Sequence, residues 1–229
     1  MNKIIIDKEE NIELKDNVVE LDIKVSNLIL NVKGKVLINE LITIDKENIN
    51  LTINVAENSS LIYNRFTKIN NLNNNIIINQ NNNSEVIFNY SILANDQGKL
   101  NLKSNLFGNN NNTEINIVAV TENKGSLNIL CTSDTKEKIN NNNLLEKINI
   151  LMLNDSENVI IPDLLVSSNE VEVNHAATIG GIKKDELFYL TSKGLSNKAA
   201  TALIKNGFLI NNLDLSEGHI DHIKELIGR

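Results

Sequence analysis

Apolar and polar residues alternate along most of the chain. From Lys3 to Val173, short segments with a period of two are separated by clusters of asparagine, glycine and charged residues. The clearest alternating segments are Val19-Leu21-Ile23-Val25, Leu51-Ile53-Val55, Ile76-Ile78, Val86-Phe88-Tyr90, Leu100-Leu102 and Ile115-Ile117-Ala119. Because strand side chains point alternately to opposite faces, the pattern predicts a series of β-strands with no long helix among them.

The spacing of these segments indicates a solenoid. Two sets of residues repeat at intervals of 21, namely Ile129, Ile150 and Val171, and Cys131, Met152 and Val173. A constant interval predicts one coil of a solenoid, in which apolar side chains stack on their counterparts in the next coil. Earlier in the chain Leu51-Ile53 precedes Ile76-Ile78 by 25 residues, which predicts coils with inserted loops. Periodicity alone leaves an antiparallel sandwich as an alternative.

Asparagine runs separate many of the strand segments. The runs are Asn73 to Asn75, Asn81 to Asn83, Asn109 to Asn112 and Asn140 to Asn143. Asparagine tolerates the left-handed conformation and bonds to its own backbone, so the runs predict turns. Two further interpretations stay open. Stacked asparagines could form amide ladders, or a compositional bias could simply fill permissive loops.

The pattern changes to a helical one after Val173. Gly180 and Gly181 interrupt the strand spacing, and from Asp185 the apolar residues recur at helical intervals up to Gly194, where a left-handed C-cap is expected. Ser196 is the predicted N-cap of a second, alanine-rich helix that is expected to stop at Gly207.

A third helix is predicted between Asn211 and Arg229, with Asp214 as its N-cap and an apolar face that includes Ile223. That face needs a partner, either the end of the solenoid or another subunit. Because the last coil of a solenoid exposes an apolar end, we expect this helical region to cap it.

Composition excludes several classes of partner. The chain has 229 residues, 41% of them hydrophobic, and a formal net charge of -7. An acidic molecule lacks the concentrated positive field that sequence-independent binding to nucleic acid requires, so no nucleic-acid partner is expected. No apolar run is long enough to span a bilayer and the N-terminus does not read as a signal peptide, so we expect a cytoplasmic protein without membrane contact.

The segment from Pro162 to Leu209 resembles the C-terminal signature of the SufB/SufD family, scaffold components of the SUF machinery for iron–sulfur cluster assembly. The elements that carry the resemblance are His175-Ala176-Ala177-Thr178, Ile179-Gly180-Gly181-Ile182, Asp185-Glu186, Leu187-Phe188-Tyr189, Gly194, Ala199-Ala200 and Gly207-Phe208. The rest of the chain agrees with the family only in character. Several elements in a fixed order make this likeness more specific than a single short motif.

The resemblance implies a mainly β fold, a right-handed parallel β-helix with a C-terminal α-helical region. Residues 1–178 would form the β-helix core domain and residues 179–229 the helical region. In the family that region docks SufC, an ABC-type ATPase. The docking residues implied here are Leu187, Phe188, Tyr189, Gly194 and Phe208. The long N-terminal helical extension of fuller family members is not expected in this chain.

His175 is the leading candidate site residue, with Thr178 beside it. Imidazole is a common ligand of iron and zinc, and the position after the last predicted strand would let the side chain leave the stack and face a neighbour. In the SufD branch the matching histidine lies near the SufB–SufD interface. The alternative is a structural hydrogen-bonding residue at the junction. His175 is therefore predicted to be a cluster-assembly or interface residue and a metal ligand.

The resemblance favours the SufD branch over the SufB branch. Counted back from His175 without gaps, Lys147 occupies the position of a SufB cysteine, and Ala176 replaces a SufB glutamate. A lone histidine without thiolates is a poor iron–sulfur ligand set. We therefore expect a non-catalytic SufD-like subunit that binds no cofactor stably. A transient cluster would form at its interface with a SufB-like subunit or with a second copy of itself.

The other candidate residues have simpler explanations. Cys131 continues an inward alternation, which predicts a small, inert core thiol. Glu170 and Glu172 could bind a metal, but an acidic outward face is usually only solvated. His219 and His222 are expected to be a surface pair.

Three further functions were considered. A homodimeric scaffold acting as both SufB and SufD remains open. A carbohydrate-active β-helix enzyme would need rows of carboxylates and aromatic platforms, which a chain with 3% aromatic residues does not supply. A DNA-binding helix-turn-helix is disfavoured because the segment from Leu190 to Phe208 lacks arginine.

Overall fold

The computed structural model describes residues 2–9 and 11–228, and Met1, Glu10 and Arg229 lie outside this range. Within it, parallel strands are followed by helices. The strands are β1 (Asn2–Ile6), β2 (Asn11–Ile23), β3 (Asn27–Val55), β4 (Ser60–Gln80), β5 (Glu85–Ala94), β6 (Gln97–Leu106), β7 (Asn112–Thr121), β8 (Ser126–Thr135), β9 (Asn142–Met152), β10 (Val159–Val166) and β11 (Val171–Gly181). The helices are α1 (Lys184–Ser192), α2 (Asn197–Ile210) and α3 (Glu217–Gly228). This architecture confirms the predicted parallel β-helix with a helical C-terminal region.

Each coil stacks in register on the previous one. The long strand β4 pairs with both β5 and β6, and from there two ladders run to the end of the rod, β5–β7–β9–β11 and β6–β8–β10. The pairing of Leu51 with Ile76 confirms the interval of 25 residues. The interval of 21 is wrong. Ile129 pairs with Ile160 and Ile150 with Ile179, because the later coils carry longer loops.

The predicted strands bury one face in the interior of the rod. Inward positions carry mostly Ile, Leu and Val, and together with Tyr63, Phe88 and Tyr90 they form one continuous core from Ile6 to Ile150. Column stacking of aliphatic side chains fills most of the narrow interior, and these three rings fill the rest. The predicted core position of Cys131 is confirmed, since its side chain is fully buried.

Asparagine acts both in the turns and in ladders. Asn58, Asn83, Asn110 and Asn141 have φ between 53° and 58°, which confirms left-handed turn positions. Their side chains also stack, as Asn110 Nδ2 donates to Asn83 Oδ1 over 2.9 Å and Asn141 Nδ2 to Asn110 Oδ1 over 2.8 Å. The amide-ladder interpretation is therefore correct as well. Each amide bonds to its counterpart in the preceding coil, which ties successive turns together.

A buried ion pair lies inside the rod. The guanidinium of Arg65 donates to the Glu40 carboxylate, and both side chains are fully buried. The Tyr63 hydroxyl donates to the same carboxylate over 2.6 Å, and the Arg65 guanidinium lies 5.2 Å from the centroid of the Tyr90 ring. Burial and the Glu40 charge raise the pKa of Tyr63, so its hydroxyl stays protonated and able to donate.

Helices α2 and α3 pack on the flank of the rod, so the expected helical cap on the solenoid end is wrong. A second core joins outward residues of the strands to the helices, including Val118, Val120, Leu209, Ile223 and Leu226. The end coil, which consists of β10 and β11, has no buried residue in either strand. The apolar face of α3 was correctly predicted, but its partner is this flank.

Several polar contacts fix α2 and α3 to the flank. Asn212 Nδ2 donates to Tyr90 O, Ser91 Oγ and Asn116 O, each over 3.2 Å. Lys205 pairs with Glu122 at 2.9 Å. By contrast, α1 has no buried residue. The tail therefore consists of two anchored helices and one exposed helix.

The observed helix ends agree in part with those predicted from the sequence. Ser196 caps α2 by accepting from the Ala199 amide, and Gly194 has φ +96° just after α1, both as predicted. However, α2 continues through Gly207 to Ile210, and α3 begins at Glu217, so Asp214 is not its N-cap. The Asp214 backbone bonds instead to the buried side chain of Asn64.

We expect Glu40→Gln to destabilise the protein by about 3 kcal/mol, since it removes the carboxylate that the buried Arg65 pairs with. The measurement is the free energy of unfolding in urea. The exposed pair of Lys33 and Glu13, 2.7 Å apart, supplies the control. Glu13→Gln is expected to change the same free energy by less than about 1 kcal/mol. If the two variants lost the same free energy of unfolding, the buried pair would contribute no more to stability than the exposed pair.

Candidate functional site

The C-terminal end of the rod presents His175. Strand β11 pairs with β9, and His175 lies in register with Glu146. The alternation of β9 places Leu144, Glu146 and Ile148 inward, and all three are buried. His175 thus continues an inward column and does not leave the stack, which corrects the expectation from sequence. Its side chain is exposed only because no coil covers β11 in the part of the chain that the structure describes.

Beneath His175 lies a small polar cluster. The Ser133 hydroxyl donates to Glu146 Oε1, while Glu146 Oε2 is buried without a hydrogen-bond partner. Burial raises the pKa of Glu146, and the Ser133 hydroxyl, the Cys131 thiol and the charge of His175 oppose that rise. Burial and the neighbouring Glu146 also raise the pKa of the Cys131 thiol. The cluster therefore favours the protonated thiol, which is a weak nucleophile and metal ligand.

Glu146 is the residue that reasoning from sequence missed. The signal was available, because Leu144, Glu146, Ile148 and Ile150 share one parity and a carboxylate among three aliphatic residues marks an inward charge. Lys147, the position compared with a SufB cysteine, lies opposite Ala176 and is exposed. Neither of these two residues supplies a thiol, and the Cys131 thiol lies beside Glu146 in the buried cluster.

Thr178 and His175 do not share a face. Alternation along β11 directs His175 to the interior column and Thr178 to the outer surface, opposite Asn149. Thr178 lines a cleft of about 360 Å³ between the rod end and the helices, together with Gly180, Gly181, Ile204 and Phe208. The structure therefore brings Thr178 together with the helical region and separates it from the imidazole.

The helical region exposes aromatic residues. Phe188 is 74% exposed and Tyr189 is 61% exposed, and Leu203 on α2 is 54% exposed. Of the other predicted docking residues, Leu187 is half-buried, Gly194 ends α1, and Phe208 packs against the flank core. Large exposed apolar side chains are common where proteins contact one another, so these residues are candidates for a docking surface.

Metal-binding groups are scarce. Among the described residues, no three His, Cys, Asp or Glu side chains are arranged to hold a metal ion. Glu172 accepts a hydrogen bond from Asn174 over 3.2 Å on the exposed face of β11. His219 bonds to Ser216, and His222 is exposed. An ion or cluster at His175 would therefore need further ligands from outside this arrangement.

No helix among residues 2–9 and 11–228 has the length and apolar character needed to cross a membrane.

Comparison with known proteins identifies relatives of the C-terminal third. Residues 133–208 match the family described as SUF system FeS cluster assembly, SufBD core domain. A protein of Pyrococcus horikoshii named an iron-sulfur cluster assembly SufBD family protein is 42% identical over 79 residues. That alignment covers 34% of this chain and 18% of the relative.

Two other relatives carry the same family name. One from Methanothermobacter thermautotrophicus is 38% identical over 65 residues, or 28% of this chain and 16% of that protein. One from Staphylococcus aureus is 32% identical over 60 residues, or 26% of this chain and 13% of that protein. The aligned part thus spans less than a fifth of the length of each. Residues 133–208, which include Glu146, His175 and α1, are similar to the SufBD core domain.

Proposed function

We propose that this protein is a scaffold subunit of an iron–sulfur cluster assembly complex and has no catalytic activity of its own. The main support is that the segment similar to the SufBD core domain includes Glu146, His175 and the chain onward to Phe208. The cluster would be the cargo of the complex. Any ATP hydrolysis would belong to a partner.

The end coil is the proposed contact with a second subunit. Strand β10 pairs with β8 along one edge, and it exposes Val159, Ile161, Leu165 and Val166 by 43–47%. An exposed apolar edge strand readily pairs with another chain. Such pairing would place His175 at the shared surface. Because a single imidazole above a carboxylate is a poor iron–sulfur ligand set, the partner would supply the thiolates.

This division of ligands corresponds to a SufD-like role beside a SufB-like subunit. A homodimer acting as both subunits is the alternative, and Lys147 at the position of a SufB cysteine counts against it. Measurement of the molar mass separates the two. A chain that forms a stable dimer without any partner would favour the homodimeric scaffold.

Helix α1 is the proposed docking element for a SufC-like ABC ATPase. Phe188 and Tyr189 on α1 and Leu203 on α2 are its exposed apolar residues, and the Lys193 ammonium lies 5.6 Å from the centroid of the Tyr189 ring. Only two residues separate the end of β11 from the start of α1, so α1 is joined closely to the strand that carries His175. Motion of a bound ATPase would therefore reach the rod end along β11.

His175→Ala is expected to reduce cluster formation at least about tenfold, since loss of an imidazole at the shared surface removes a ligand or its support. The chain is co-purified with a thiol-bearing SufB-like partner and the ATPase, and the visible absorbance of the reconstituted cluster is measured. His222→Ala is the matched control, because it removes an exposed imidazole from α3. If both variants assemble clusters as the wild type does, His175 has no role in assembly.

Phe188→Ala combined with Tyr189→Ala is expected to weaken ATPase binding at least about thirtyfold, as buried aromatic anchors dominate interfaces. The dissociation constant of the purified ATPase is measured by titration. Phe107→Ala provides the control, because Phe107 is 44% exposed but follows β6, far along the chain from α1. Unchanged affinity of the double variant would contradict docking on α1 and leave the interface role of His175 untouched.

A further inference from the structure

The end coil, Val159–Gly181, is the least buried part of the rod. Neither β10 nor β11 contains a buried residue, whereas β8 and β9 bury every second residue. The end coil also stacks on one neighbour only, through β10 on β8 and β11 on β9. Because a solenoid coil gains stability from its interfaces with neighbouring coils, this coil is held more weakly than the coils below it.

Open clefts border the junction beneath the end coil. One of about 470 Å³ is lined by Asn141–Asn143 and Asn169–Glu172, and another of about 340 Å³ by Lys138–Asn140 and Ser167–Glu170. The cleft of about 360 Å³ at Thr178 lies on the side of the helices. The edges of this junction are therefore open to solvent, while the strands stay paired in register.

Reactive groups lie directly under this coil. Pro162 stacks over Cys131, Leu164 over Ser133 and His175 over Glu146. Cys131, Ser133 and Glu146 are all fully buried, yet Glu146 Oε2 has no hydrogen-bond partner. A buried carboxylate oxygen without a partner destabilises the closed arrangement relative to one in which it reaches water.

We propose that the end coil is a lid, which opens from the rod while the inner coils stay folded and so exposes Cys131 and Glu146. In the closed state the rod end presents the imidazole of His175. In the open state it also offers a thiol and a carboxylate. The inference is independent of the proposed function, because it rests on burial, packing and stacking alone.

The attachment of the tail is compatible with this motion. Helix α1 follows the lid directly and has no buried residue, and no atom lies within 4 Å of where a Cβ on Gly180 would be. Helices α2 and α3 are held on β5 and β7 by the flank core and by Asn212. Ile182, directly after β11, packs against the same flank core, so the lid would move about this residue while the helices remain in place.

Thiol labelling of the isolated chain tests the lid, since Cys131 is its single cysteine. The rate of labelling by a small maleimide is measured in increasing, sub-denaturing urea and normalised to the rate in the unfolded chain. The comparison is Ser104→Cys in a Cys131→Ser background. Ser104 is fully buried and lies one coil deeper, in register with Ser133.

Cys131 is expected to be labelled at least about tenfold faster than the cysteine at position 104, which corresponds to about 1.4 kcal/mol in opening free energy. Its rate should also depend less steeply on urea than global unfolding followed by circular dichroism. Equal normalised rates with the same steep dependence would overturn the proposal, because they would show that lid and rod unfold together.

If the chain with Ser104→Cys and Cys131→Ser does not fold, hydrogen exchange of the unmodified chain tests the lid instead. The amides of β10 and β11 that bond to β8 and β9 are compared with amides of β8 and β9 that bond to the coil below. The lid predicts exchange at least about tenfold faster in the first set, and equal protection would refute it. Neither measurement needs a partner, so failure here would leave the scaffold proposal standing.

Discussion

In-register parallel stacking is the constraint on which the rest of the structure depends. Each side chain lies over its counterpart in the previous coil. Every column must therefore hold residues whose side chains can stack on side chains of the same type. Aliphatic residues satisfy this inside the rod and asparagine satisfies it on the outer face of the strands, where Asn116 donates to Asn89 and Asn89 to Asn64, each over 3.0 Å. A buried charged side chain cannot stack on one of the same charge and needs an opposite charge beside it. The interior charge of Arg65 therefore lies over Glu40 of the preceding coil.

The rod end differs because the stacking stops there. Glu146 has Ser133 across the interior and His175 above, but one carboxylate oxygen remains without a partner. The inner coils show no comparable charge outside the pair of Glu40 and Arg65 among the described interior residues. The same end carries exposed apolar residues on β10 and the aromatic surface of α1. Unsatisfied polar groups and exposed apolar area together characterise a surface that functions in contact with another molecule.

Local features were predictable from the sequence, whereas the long-range features were not. Alternation identified the strands, and the conformational preferences of asparagine, Ser196 and Gly194 identified turns and caps, since these depend on a few neighbouring residues. The coil length failed because loops of different length separate the coils, so equal spacing in sequence does not mean equal position in space. The flank core was missed although Leu93, Val118 and Val120 make parts of β5 and β7 apolar on both faces. Such uninterrupted apolar runs are the mark of a strand covered on both sides.

Because each coil contacts only the coils directly before and after it, the number of coils is independent of what the rod end does. A duplicated coil inserted between β1 and the flank helices would find matching asparagine and aliphatic columns above and below it. The rod could then lengthen or shorten by whole units while β9, β11 and the helices keep their mutual geometry. This modularity lets the overall length change without altering the geometry of the terminal unit.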